Sequence, residues 1–227
     1  MTSYYAERLA GSRLRQCYEL ASPRVKRYLD AEIEHVRGRL KPTDVVLELG
    51  CGYGRVAVVL ADAAQHVVGI DTAEESLTIA RELFADRDDC EFLAMDASIM
   101  SFPESRFDVV VCVQNGICAF GVPAEQLVRE ALRVTRGGGR ALFSTYSSRF
   151  WHERLSWFET QAEAGLLGRI DREATGDGVI VCEDGFRAGS MSEADLRGLC
   201  DSLGVPYEVV EVDESSLFCE IVKPCAL

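Results

Sequence analysis

Histidine is scarce in this chain: His35, His66 and His152 are the whole supply, and no two of the nine cysteines share C-x-x-C spacing. A closed zinc site uses tighter ligand pairs, so no metal site is expected. Cysteines such as Cys112, inside Val109-Val110-Val111-Cys112-Val113, read as small hydrophobes filling a core. No apolar run approaches the roughly 18–20 residues of a membrane span. The segment Met1–Arg8 lacks the apolar centre of a signal peptide, and Cys225, third from the end, misses the four-residue prenylation box. Positive charge is also short. Against 37 Asp and Glu stand 24 Lys and Arg, a formal −13 that would repel a phosphate backbone and argues against nucleic acid as a partner. A soluble cytoplasmic protein is the expectation, and the oligomeric state is not legible.

What is present is 227 residues, 48% of them hydrophobic, enough for one α/β domain with a full core. The organising stretch is Val45-Val46-Leu47-Glu48-Leu49-Gly50-Cys51-Gly52-Tyr53-Gly54-Arg55. An apolar run without alternation marks a parallel strand covered on both faces. Gly50, Gly52 and Gly54 then strip a turn of side chains, so that a ligand can lie against the backbone. A helix over about 55–63 would aim its free N–H groups there. The dinucleotide fingerprint is G-x-G-x-x-G, whereas here the third glycine comes one residue early and Glu48 precedes the turn. A carboxylate at that place disfavours a pyrophosphate and favours a cationic group.

A second strand near 65–70 ends in Asp71, 21 residues beyond Gly50, where a carboxylate can accept from both hydroxyls of a ribose. Alone, Asp71 would be an ordinary helix-start acid. Thr72-Ala73-Glu74-Glu75 reads as a capping box for the next helix. A third strand, near 90–94, leads into Met95-Asp96-Ala97, and a fourth, Phe107 to Val113, into Gln114-Asn115-Gly116. A helix over about 123–136 is expected to stop at Gly137-Gly138-Gly139, which cap it and turn the chain into a fifth strand, Arg140 to Thr145.

Taken together, these landmarks over roughly residues 43–146 resemble the class I S-adenosyl-L-methionine (SAM)-dependent methyltransferases. The acid-x-G-x-G-x-G turn is similar to that family's first motif, and Leu132–Phe143 to its post-motif segment. The resemblance implies a seven-stranded Rossmann-like, doubly wound sheet, mostly parallel with an antiparallel C-terminal hairpin, plus N-terminal helices. It implies SAM as cofactor, with S-adenosyl-L-homocysteine as product. The cofactor contacts it carries over are Glu48, Gly50, Cys51, Gly52, Gly54, Asp71, Thr72, Asp96, Ala97 and Gln114, with Asp96 on the adenine amino group.

The remaining segments are divided as an N-terminal helical lid (1–41), a substrate-side insertion (147–190) and a closing helix and hairpin (191–227). Ser22-Pro23 starts a helix whose Val25, Tyr28, Leu29, Ile33, Val36 and Leu40 share a face, and residues 4–20 read as another helix or two. Residues 1–41 carry nine Lys and Arg against five Asp and Glu, a basic patch expected to pack on the acidic body. The stretch 168–186 reads as a hairpin turning at Thr175-Gly176-Asp177-Gly178, and strands near 207–212 and 217–222 as the closing pair. Tyr5, Asn115, Tyr146 and Trp151 are the substrate-side candidates. His152 and Tyr146 are candidate bases, although a histidine beside tryptophan is more often a packing or surface residue. The acceptor is an unidentified small molecule; the cysteine count permits a thiol or metalloid, with Cys112, Cys118 and Cys219 within reach of one another. An NAD-linked oxidoreductase and a non-catalytic SAM-binding protein are the alternatives.

Overall fold

The computed structural model describes residue 4 and residues 8–225; the candidate Tyr5 lies outside them. Two helices come first, α1 over Gly11–Glu19 and α2 over Pro23–Arg37. Ser22 starts α2 as expected, accepting from the Val25 N–H at 3.2 Å with Pro23 at the first helical position. The buried stripe of α2 holds Val25, Tyr28, Leu29, Ile33 and Val36, and Glu32 is buried among them. The basic groups here pack on the body: Arg24 and Arg27 pair with Asp213, and Arg39 with Glu220.

Strands β1 (Val45–Leu49), β2 (His66–Asp71), β3 (Cys90–Ala94), β4 (Phe107–Cys112) and β5 (Thr135–Tyr146) follow. Between them lie the helices α3 (Ala57–Ala61), α4 (Glu74–Leu83) and α5 (Ala124–Val134). Then come α6 (Trp151–Glu163), the short β6 (Ile180–Val181) and β7 (Arg187–Ala188), α7 (Glu193–Leu203), β8 (Tyr207–Val212) and β9 (Ser216–Val222). The seven long strands form one sheet in the order β3-β2-β1-β4-β5-β9-β8. Strands β1 to β5 are mutually parallel, and β9 runs antiparallel to both of its neighbours. This is the Rossmann-like, doubly wound sheet with a closing hairpin.

Both faces of the sheet are covered. Leu47, Leu49, Val68 and Ile70 enter the core on one side, Val46, Val67, Val109 and Val111 the core on the other. That double burial is why β1 and β4 read as mainly apolar runs without alternation. A third core joins α1 and α2 to the 146–188 segment through Tyr28, Tyr146, Phe150, Trp157 and Phe186. Strand order reverses between β1 and β4, and an open sheet of this kind has its crevice at the carboxyl ends beside that point. No helix among the described residues is long and apolar enough to cross a membrane.

Several local expectations are corrected. Helix α3 is only five residues long, shorter than the 55–63 span. Thr72 caps nothing: Ala73 is the N-cap of α4, and its N–H donates to Asp71 instead. The three glycines at 137–139 do not separate helix from strand, because β5 begins at Thr135 and runs through them. A register shift between Phe107 and Val109 takes up the irregularity, and a Cβ on Gly139 would lie 2.6 Å from the Asp108 carbonyl oxygen. The 168–186 stretch is a three-limbed meander. One turn falls at Asp177-Gly178 as expected, closed by mutual Gly176–Val179 bonds, and a second joins β6 to β7. Finally, Cys219 faces Cys200, their sulfurs 3.2 Å apart, and not Cys112 and Cys118.

Candidate active site

The glycine turn is welded to the end of β2. Gly50 N–H and Cys51 N–H both donate to the Ile70 carbonyl, at 2.8 and 3.0 Å. Gly52 N–H donates to Asp71 Oδ2 at 2.9 Å, and Ala73 N–H to Asp71 Oδ1 at 2.8 Å. Each carboxylate oxygen keeps a further lone pair for another donor. All three glycines are left-handed, with φ of +73°, +52° and +83°, but their bare faces differ in direction. A Cβ on Gly50 would lie 3.1 Å from Phe120, and one on Gly52 2.9 Å from Leu14 of α1. At Gly54 it would strike the core rings of Phe92 and Phe84, at 2.7 and 3.0 Å. Two glycines thus clear space under side chains that overhang the turn, while the third serves core packing. The Cys51 side chain also points inward, against Gly69, so only its backbone faces the turn.

Asp96 is exposed after β3 and folds back on itself, Oδ1 accepting from Ser98 N–H and Ser98 Oγ, both at 2.7 Å. Ala97 beside it is buried, and Thr72 is exposed after β2. All three stand at the carboxyl edge.

Beneath the turn lies a buried polar cluster in which Glu48 and Gln114 were expected and Glu32 was not. Glu48 is 3% exposed, and its Oε2 has no hydrogen-bond partner. Burial pushes its carboxyl up to about 8, against the pull of Arg55 and the Ala57 N–H. Glu32 is fully buried and accepts from Gln114 N–H and Ser216 Oγ, each at 2.7 Å. Burial pushes it up to about 7 despite those bonds. Arg55 acts on both carboxylates, stacks over the Tyr18 ring at 4.6 Å, and leaves Nη2 without a hydrogen bond. One signal was available: an acid at position 32 interrupts the apolar face of a predicted helix, four residues from both Tyr28 and Val36.

At the end of β4, Gln114 and Asn115 are consecutive left-handed residues without being glycine, φ +55° and +62°. Such a conformation costs about 1–3 kcal/mol per residue and persists where surroundings over-determine it. Four bonds from four segments do so. Glu32 takes the Gln114 N–H, and Tyr18 OH donates to Gln114 Oε1 at 2.8 Å. Thr145 Oγ1 donates to Asn115 Oδ1 at 2.8 Å, and Asn115 Nδ2 to the Gly189 carbonyl at 3.0 Å. The Gln114 Nε2 donor is buried without a partner.

Beyond β5 a cavity of about 760 Å³ is lined by Tyr146, Trp151, His152, Arg154, Met191 and Glu211, among others. Arg154, 1% exposed, lies 4.2 Å over the Tyr146 ring and donates to the carbonyls of Gly178, Ala188 and Gly189. Burial pushes the Tyr146 phenol well up, so it stays protonated near neutral pH. His152 stands exposed at the rim. The structure therefore joins Tyr146, Trp151 and His152 in one cavity and assigns Asn115 to the corner that backs it.

Comparison with known proteins gives these findings. Residues 46–139 match the methyltransferase domain family. A 2-methyl-6-phytyl-1,4-hydroquinone methyltransferase of Synechocystis is 30% identical over 178 residues, covering 68% of this chain and 55% of that protein. An eEF1A lysine and N-terminal methyltransferase homolog of Drosophila pseudoobscura pseudoobscura is 32% identical over 122 residues, half of this chain but 18% of that protein. The chain thus spans about half or less of these curated relatives. A SAM-dependent methyltransferase crystal structure from Methanosarcina mazei superposes with a TM-score of 0.62 at 21% identity, covering 84% of this chain and 97% of that one. That likeness concerns the fold.

Proposed function

The chain carries a methyltransferase domain of the SAM-dependent, Rossmann-like family across residues 46–139, and on that premise we propose that it methylates a small-molecule acceptor. The observation that carries this reading is the Asp71 carboxylate, bonded to Gly52 N–H across a turn whose Gly50 and Gly52 leave room for no side chain. The donor set suits SAM: carboxylates for ribose hydroxyls and ammonium, and buried orphan atoms at Glu48, Arg55 and Gln114 that a polar ligand would satisfy. In this reading Asp71 holds the ribose, Asp96 and Ala97 the adenine, Gly50 and Gly52 the backbone cradle, and Gln114 the methionyl end.

SAM supplies an electrophilic methyl group on a cationic sulfur. The protein's task is alignment and exclusion of water. Leu14, Tyr18 and Phe120 overhang the turn and shield it, which supports a lid role for the N-terminal segment. Tyr146, Trp151 and Arg154 shape the acceptor side, and His152 at its rim is the candidate to take a proton from a hydroxyl or amine acceptor. A demethylmenaquinone methyltransferase, a 2-methyl-6-phytyl-1,4-hydroquinone methyltransferase and a ubiquinone biosynthesis O-methyltransferase among the relatives support a small-molecule acceptor. Titration with SAM and with NADH tests the reading: micromolar SAM binding with none for NADH is expected, and the reverse would replace it by the oxidoreductase alternative. Methyl transfer from labelled SAM to hydroquinones then separates an enzyme from a non-catalytic binder.

A further inference from the structure

We propose that Glu32 and Glu48, two carboxylates buried beneath the glycine turn without an ion pair among the described residues, form a charge-selective seat that favours SAM over its demethylated product. This deepens the reading above and rests on it. SAM carries a sulfonium and an ammonium against one carboxylate, a net positive charge. S-adenosyl-L-homocysteine has lost the sulfonium charge and is neutral overall.

The argument begins from charge balance in the interior. Two carboxylates at 0% and 3% exposure make no ion pair among the described residues, and Arg55 pulls on both only at longer range, so full ionisation leaves buried negative charge uncompensated. Around Glu32 stand Arg55, the phenols of Tyr28 and Tyr146 and the thiol of Cys112. Around Glu48 stand Arg55, Asp71 and the thiols of Cys51, Cys90 and Cys112. Burial pushes the phenols and thiols up and keeps them neutral, and Asp71 adds to the negative side, so none of them supplies the missing positive charge. The unpartnered Oε2 of Glu48 and Nε2 of Gln114 show that the cluster is also incomplete in hydrogen bonds. Its position fits the donor site: Glu32 holds the Gln114 N–H at 2.7 Å, and Tyr18 links Gln114 to Arg55.

The proton balance follows. Without ligand the cluster retains a proton near neutral pH, because burial raises both carboxyls, to about 7 and about 8. Binding a cation favours the ionised pair, so a carboxyl proton leaves to solvent as SAM enters. The neutral product gives no such advantage, and the cluster takes the proton back. Methyl transfer would thus weaken the seat's hold on its own product.

Calorimetry of the full chain with SAM and with S-adenosyl-L-homocysteine, in two buffers of different ionisation enthalpy, tests this. Near pH 6.5, SAM binding is expected to release close to one proton more than product binding. The SAM-to-product affinity ratio should rise by about tenfold or more between about pH 6 and 8, one linked proton allowing at most tenfold per pH unit. The ammonium common to both ligands largely cancels in that ratio. Glu32→Gln or Glu48→Gln should flatten the rise. Equal proton release for the two ligands in the unsubstituted protein overturns the proposal whether or not the variants fold. If neither ligand binds, the methyltransferase reading itself falls, a distinct result.

Discussion

The Tyr18 hydroxyl donates to Gln114 Oε1 at 2.8 Å, across 96 residues of sequence, and so fastens α1 to the strained end of β4. Loss of one such bond is worth about 0.5–1.5 kcal/mol. Tyr18→Phe should therefore weaken SAM binding two- to tenfold and speed proteolysis in residues 8–20. Unchanged affinity and cleavage would show that α1 closes the turn without this tie.

Asp71 accepts from Gly52 N–H and Ala73 N–H, so it shapes the turn as well as offering lone pairs to a ribose. Asp71→Ala is expected to weaken SAM binding by about 1–3 kcal/mol through the lost charged acceptor. Isothermal titration reads this directly. An unaltered affinity would mean the ribose lies elsewhere.

The three turn glycines should separate by what they lose. Gly52→Val would meet the flexible end of Leu14 and fill the cradle, abolishing SAM binding with a modest fall in Tm. Gly54→Val would strike Phe92 and Phe84 within the core and cost about 1–3 kcal/mol or more of stability. Denaturant melts alongside binding measurements distinguish the two. Equal destabilisation would indicate that Gly52 also serves packing.

Glu32 and Glu48 also give the ligand-free protein a pH signature. Their folded values exceed the ordinary 4.5, so their contribution to stability is full below that pH and is lost as pH rises through about 7 and about 8. His35 runs the other way: burial and Arg39 lower it, and its contribution is lost as pH falls from about 6.5. With two carboxyls against one histidine, Tm should fall between about pH 5.5 and 8.5. Glu32→Gln should reduce that fall, and a slope identical to that of the unsubstituted protein would show that Glu32 does not titrate in this range.

Local pattern carried much of the fold. Mainly apolar runs without alternation marked β1 and β4, the Ser22-Pro23 pair marked the start of α2, and Asp177-Gly178 marked a turn, each determined by a few adjacent residues. Where local signals pointed two ways the tertiary setting chose. Gly137–Gly139 look like a helix stop, yet β4 pairs with Thr135 before them and with Arg140 after them, and the Asp108 carbonyl needs a neighbour without a side chain at Gly139.

The sequence by itself determined the order of strands and helices, the glycine turn and the acid ending β2, because periodicity and turn chemistry act over a few residues. Only the tertiary structure decided that Glu32 would reach Gln114, 82 residues away, and lie as deeply buried as Glu48. Burial of a charge is a property of what surrounds it, and those surroundings come from distant parts of the chain.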